Sequence, residues 1–175
     1  MKWLLSALGI IVGLVVVVYV VGALLPRDHV ATVRVRLSQP PERIYATLAD
    51  VSAAPSWRKD LQKVEVLSVA DEPLRWRETG KYGTMTYVRD EDWPGRRLVG
   101  RIADTAQGFG GRWEYDIRPA DGGTTLTVTE RGEVYNPMFR FMSRFVFGHY
   151  STLEGYVRSL GHHFGEDVSI ERVTT

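Results

Sequence analysis

The chain contains no cysteine in its 175 residues. That excludes disulfides, thiol nucleophiles and cysteine-ligated metals, and it is compatible with either redox compartment. A charge imbalance is lacking too. Lys and Arg number 22, Asp and Glu 21, and Lys2 lies ahead of the apolar N-terminal run, so the remainder is formally neutral. With no basic stripe or tail to hold a phosphate backbone, nucleic-acid binding is not expected. Histidine is sparse. His29, His149, His162 and His163 form no HExxH or other strong ligand spacing, and no metal site is expected. The adjacent His162 and His163 point to opposite sides of a helix end and read as capping or solvated groups. Gly108, Gly110 and Gly111 lie in a strand-to-strand loop rather than ahead of a helix, so they form no phosphate cradle and no cofactor is expected. No Ser/His/Asp set is placed by spacing. Internal repeats, low-complexity tracts and long linkers are absent.

One stretch lacks charge altogether. Trp3 to Leu25 runs WLLSALGIIVGLVVVVYVVGALL, between Lys2 and Pro26-Arg27. At about 1.5 Å per helical residue it reaches roughly 35 Å, enough for a hydrocarbon core of about 30 Å. A cleaved signal peptide is the rival reading, with Val21-Gly22-Ala23 as the small-residue site. Signal apolar regions run to about 7–15 residues, however, and this run is longer, with a strongly apolar Val15 to Val18 centre. The expectation is a retained single-pass anchor over 1–26 and one domain over 27–175, a typical single-domain size. Orientation stays open. Arg27, Arg34 and Arg36 lean toward a cytoplasmic domain, whereas an uncleaved signal-anchor would place it outside.

Beyond the run, apolar and polar residues alternate. In VATVRVRL (30–37), Ala31, Val33, Val35 and Leu37 share one face, as in a half-buried strand. Pro40-Pro41 breaks it and opens a helix with Ile44 and Leu48 one turn apart. A short segment carrying Trp57 follows. Strand patterns then recur at 61–69, 74–81, 84–91 and 96–103. A glycine-rich loop, Gln107 to Gly111, precedes GRWEYDIRP. There Trp113, Tyr115 and Ile117 oppose Arg112, Glu114, Asp116 and Arg118. Asp121-Gly122-Gly123 turns into TTLTVTERGEVY. Strands that follow one another without crossover helices make an antiparallel sheet. Asn136 and Pro137 then begin a helix. Met138, Met142, Phe145, His149, Leu153, Tyr156, Leu160 and Phe164 recur at three- and four-residue spacing, which predicts one helix over 137–163, open to a bend at Gly148 and ended by Gly165.

The ordered set of motifs resembles the START and polyketide cyclase/dehydrase (SRPBCC) superfamily. VRVRLSQPPERIYATLADVSAAPSW is similar to that family's opening strand, proline-led helix and Pro-x-Trp segment. LQKVEVL is similar to its second strand, GGRWEYDIRPADGGTTLTVTERGEV to its last hairpin, and NPMFRFMSRFVFG to the start of its terminal helix. The likeness covers about residues 30–164. It implies an α+β helix-grip fold, a curved antiparallel sheet wrapped around a long C-terminal helix. It also implies a cavity between the two for an apolar ligand. Some members are enzymes and many are carriers.

On that fold Trp76, Met85, Tyr87, Trp113, Tyr115, Leu126, Phe141 and Phe145 tend toward the space between sheet and helix. Each could equally be plain core; as a set, Trp, Tyr and Met suit a roomy pocket better than interlocking aliphatics do. Glu78, Arg89 and Glu130 share the same strand faces and are the candidate polar groups. They would orient a ligand or act in proton transfer, unless they pair with each other or reach water. MFRFMSRFVF (138–147) reads either as a buried helix or as a gate dipping toward the bilayer, with Arg140 and Arg144 near headgroups. Three functions follow. The leading one is a membrane-tethered binder or carrier of a lipid or other apolar small molecule. The second is a cyclase or dehydratase acting on an aromatic or polyketide-like substrate. The third is a scaffold whose cavity is filled by its own side chains.

Overall fold

The computed structural model describes residues 2–81, 83–105 and 108–174. It begins with α1 (Lys2–Leu24), in which only Gly22 is buried. Among the described residues α1 is the one helix long and apolar enough to cross a membrane, and none of its apolar window is covered by protein. A core helix of a soluble domain would bury one face. α1 instead touches the rest of the chain chiefly where its last turn meets the start of a later helix.

Strand β1 (Asp28–Leu37) follows, with Ala31, Val33, Val35 and Leu37 buried as the alternation requires. Pro40 caps α2 (Pro41–Ala49) in an extended conformation, and Ile44 and Leu48 form its buried stripe. The Asp50 side chain accepts from the Ala53 N–H and opens a 3₁₀ turn (Val51–Ser56) that leads to Trp57. Then come β2 (Leu61–Val66), β3 (Arg75–Gly80), β4 (Gly83–Trp93), β5 (Arg97–Ile102), β6 (Phe109–Ala120) and β7 (Gly123–Val134). Each pairs antiparallel with the next. β1 closes against β7, and a three-residue strand, β8 (Ile170–Arg172), pairs with its far edge. The order is β2-β3-β4-β5-β6-β7-β1-β8. Helices lie against one face of this curved antiparallel sheet, which is the helix-grip arrangement.

Two expectations change. Of the supposed glycine loop, Gln107 lies outside the described residues, and Gly110 and Gly111 belong to strand β6. The C-terminal helix is not continuous over 137–163. It divides into α3 (Pro137–Met142), a π-helical turn (Ser143–Phe147) and α4 (Ser151–His163). Gly148 sits at φ +71°, a left-handed backbone that costs glycine little and stops the helix there. A helix in a folded protein is held mainly by its packed face. Phe145, Val146 and Phe147 are all more than half exposed, so nothing holds that face here. α3 itself starts as its sequence requires: Asn136 Oδ1 accepts from the Met138 N–H at 2.8 Å and the Phe139 N–H at 3.4 Å.

The core divides the domain lengthwise. At one end Val35, Leu126 and Ile117 stand in register across β1, β7 and β6, and Ile44, Leu153, Val157 and Leu160 join them in one buried cluster. The outer face of the sheet is ionic. Glu114 receives Arg97 at 3.1 Å and Arg112 and Arg131 at 2.8 Å each. Burial alone would raise the Glu114 carboxyl, but these three guanidiniums outweigh it and hold it below the usual range.

Candidate functional site

Toward the other end the core opens. The inner faces of β3 to β7, the 3₁₀ turn and α4 enclose a cavity of about 590 Å³. Alternation along the strands aims Trp76 and Glu78 of β3, Met85, Tyr87 and Arg89 of β4, Trp113 and Tyr115 of β6, and Glu130 of β7 into it. The change from solid core to open space falls within one step along the inner face of β7: Val128 still packs, whereas Glu130, two residues on, faces the cavity. Leu126 is therefore fully buried in the closed end and does not line the cavity. Phe141 and Phe145 do not line it either. They pair with each other, ring centroids 4.9 Å apart, on the broken helix.

The side chain that organises the wall is Tyr156 of α4. It meets Trp57 edge-on at 5.4 Å, Trp113 edge-on at 5.4 Å and Tyr115 at 5.6 Å. Trp76 stacks on Tyr87 at 5.4 Å. Such offset and edge-to-face contacts hold large rings in place without filling the space between them. Tyr156, Trp57 and Arg58 are cavity residues that sequence reasoning missed as site residues. In the sequence Tyr156 stands out only as one more apolar position of a helix stripe, and Trp57 only as part of the Pro-x-Trp segment.

Most of the charge in the cavity is already paired. Arg58 donates to Glu78 Oε2 at 3.0 Å and to Asp60 Oδ2 at 2.8 Å, and Trp76 Nε1 donates to Glu78 Oε1 at 3.0 Å. Burial opposes the Arg58 charge, yet Glu78, with Tyr156 and Asp60, outweighs it and pushes the guanidinium further up. Arg89 donates to Asp92 Oδ2 at 3.0 Å and to the Ala49 carbonyl at 3.4 Å, and its guanidinium lies 5.5 Å from the centre of the Trp76 ring. The tyrosines stay protonated at neutral pH. Burial pushes Tyr156 up to about 12 and Tyr115 well above its ordinary range, and their hydroxyls hydrogen-bond to each other.

Glu130 behaves differently. Burial raises its carboxyl to about 7, and a hydrogen bond from Trp113 offsets only part of that. His29 Nε2 stands 3.9 Å from Glu130 Oε1. The two do not form an ion pair at neutral pH, because burial first and His149 second lower His29 to about 4. The imidazole stacks on His149 at 4.1 Å. The cavity thus offers aromatic walls, neutral hydroxyls, two locked ionic clusters and one carboxyl that changes charge near neutral pH.

The mouth lies where exposed residues line the same cavity. These are Lys81 and Gly83 at the β3–β4 hairpin, Phe139, Phe147, Gly148, Ser151 and Thr152 along the broken helix, and Asp50 at the end of α2. α1 reaches this rim. Arg140, itself buried, donates to the carbonyls of Leu25 at 2.9 Å, Ala23 at 3.4 Å and Tyr135 at 3.2 Å. A guanidinium on the last carbonyls of a helix satisfies groups that have no partner within the helix and complements its dipole.

The sequence profile described as "polyketide cyclase / dehydrase and lipid transport" matches residues 28–158. No curated protein matches the chain. Among solved structures, a START superfamily protein from Mycobacterium smegmatis is similar at 18% identity with a TM-score of 0.63. The match covers 77% of this chain and 96% of that one. The Zhui aromatase/cyclase from a Streptomyces species is similar at 20% identity and a TM-score of 0.64, over 77% and 93% of the two chains. The di-domain aromatase/cyclase StfQ of the steffimycin biosynthetic pathway is similar at 13% identity and a TM-score of 0.60, over 76% of this chain and 48% of its own. At these identities the structural likeness carries the fold alone.

Proposed function

The chain belongs to the polyketide cyclase / dehydrase and lipid transport family, and from that premise we propose that it is a membrane-anchored binder of an apolar or amphipathic small molecule. Membership implies apolar small-molecule ligands. The observation that carries the reading is the cavity itself: about 590 Å³, walled by Trp57, Trp76, Tyr87, Trp113, Tyr115 and Tyr156, with its strong charges already neutralised by one another. That volume falls within the roughly 300–1,000 Å³ of small-molecule pockets, which are lined mainly by apolar and aromatic groups. A charge held by a partner a few ångströms away is a poor acid or base but a good fixed dipole for orienting a ligand.

Two observations support retention of α1. Its apolar window is wholly uncovered, so it has no role as a core helix. Its C-terminal carbonyls are the acceptors for Arg140. Cleavage after Ala23 would remove part of that acceptor set and leave a buried guanidinium underpaired, which is costly.

The reading is tested with a fluorescent fatty-acid probe titrated into the full-length protein in detergent. Trp113→Ala removes a ring that offers about 60 Å² of contact, worth roughly 1.5 kcal/mol or about tenfold in affinity. Glu130→Gln keeps the shape of the wall and is expected to change probe affinity much less. Equal, small effects from both would sink the binder reading. Glu130 also favours a second reading, a cyclase or dehydratase, because a carboxyl near 7 suits proton transfer at neutral pH. That reading replaces the first if Glu130→Gln abolishes turnover of a substrate found by screening while leaving probe affinity intact.

A further inference from the structure

The three exposed phenylalanines among the described residues, Phe139, Phe145 and Phe147, fall within one nine-residue segment, together with exposed Val146. The segment is the end of α3 and the π-helical turn, and it adjoins the cavity mouth: Phe139 and Phe147 line the cavity while also facing outward. Exposed apolar clusters of this kind mark a surface that meets something apolar.

What they meet follows from α1. A Cβ built on Gly22 would fall 1.9 Å from the Pro137 carbonyl oxygen, so the last turn of α1 and the first turn of α3 touch backbone to backbone. Arg140 then ties the end of α1 to the same turn. Gly22 is two residues from the end of α1, or about 3 Å along the axis. If α1 spans a hydrocarbon core of about 30 Å, its last turn lies at the boundary between acyl chains and headgroups. α3 and the turn after it are held at that depth. The segment's other arginine, Arg144, is exposed and can reach phosphate while the aromatic rings sit below it.

We propose that residues 139–147 form a second membrane contact, seated in the leaflet by the Arg140 clasp on α1. In that position the cavity mouth opens onto lipid rather than water, and its ligand is an amphipathic molecule exchanged directly with the bilayer. This rests on the anchored-binder reading above, and specifically on α1 spanning the membrane.

The chain has no cysteine, so single-cysteine variants of the full-length protein place an environment-sensitive fluorophore at one site each. Val146→Cys reports the segment, Leu14→Cys the middle of α1. Asp121→Cys reports the β6–β7 hairpin tip, roughly 36 Å along β6 from Phe109 at the strand's other end. Each is reconstituted into phosphatidylcholine/phosphatidylglycerol vesicles carrying spin-labelled phosphatidylcholine as quencher. The expected result is that the Val146 label loses most of its emission to a quencher placed high on the acyl chain. The Leu14 label should lose it to one placed deep, and the Asp121 label to neither. An unquenched Val146 label beside a quenched Leu14 label overturns the second contact and leaves the anchor standing. If neither label is quenched, the anchor reading falls and takes the second contact with it.

Discussion

Glu130 is where the state of the cavity wall can be read as a stability. Its carboxyl is held at about 7, against 4.5 ordinarily, because burial penalises the charged form more than the Trp113 hydrogen bond favours it. The unfolded chain releases this proton near 4.5. Between the two values the unfolded state binds fewer protons, so stability falls as pH rises from about 4.5 to about 7, and the loss is complete above that. At about 1.4 kcal/mol per pKa unit the loss comes to about 3 kcal/mol. Glu130→Gln keeps the shape and cannot ionise. It is expected to match the parent near pH 4 and to exceed its stability by about 3 kcal/mol near pH 8, or roughly 6–12 °C in Tm for a chain of this size. His29 works in the opposite sense, since a group lowered from 6.5 to about 4 weakens the native state as pH falls through that window. It does so in both proteins and cancels in the difference. The assay is thermal unfolding of full-length parent and variant in one detergent at several pH values. A difference that does not vary with pH would refute the account of Glu130 as a buried cavity carboxyl.

Replacing His29 by Asn removes a group that must stay neutral to remain buried; near pH 5 the variant should be more stable by about 2 kcal/mol, read by the same unfolding assay, and near pH 8 no different. Arg140→Gln gives up charge-assisted bonds to three carbonyls and should cost about 2 kcal/mol, seen as a lowered Tm in bicelles, while probe affinity barely changes. An unchanged Tm would mean that the clasp on α1 contributes little. The double variant Phe145→Ser with Val146→Ser touches no cavity wall. It should leave the equilibrium affinity for a fatty-acid probe as it was but slow the probe's transfer from vesicles in stopped-flow fluorescence. An unchanged transfer rate would count against exchange through the bilayer.

Much of the fold was legible because period-two alternation leaves few choices. In β1 the buried face is the one the pattern named. In β6 Trp113 and Tyr115 turn to the cavity and Ile117 to the core as the pattern required, although Glu114 opposite them is buried too. Pro41, Asn136 and the Asp121-Gly122-Gly123 turn begin or reverse elements where their chemistry requires. The break in the C-terminal helix was only half legible. Gly148 was visible, but the three- and four-residue spacing runs straight through it, and a pattern of apolar residues does not say whether a partner face exists for them. β8 was not legible, since three residues carry no period. For the site, parity along a strand says which way a side chain points, not whether the space there is filled. Leu126 and Glu130 share a face of β7, yet one is sealed among Val35 and Ile117 and the other borders the cavity. Pairing across distant elements was out of reach as well. Arg58 meets Glu78 twenty positions away, and Tyr156 gathers rings from β6 and from the end of the 3₁₀ turn, so neither signal is local.

The central claim, a cavity that holds an apolar ligand, is tested most directly on the full-length protein extracted from membranes in detergent. Organic extracts of the purified protein are compared by mass spectrometry with extracts of Trp113→Ala and of detergent micelles from cells lacking the protein. The account predicts one molecular class enriched in proportion to protein, with an apolar skeleton that fits about 590 Å³, and depleted in the variant. A folded chain that carries no enriched molecule and takes up no apolar probe would contradict it.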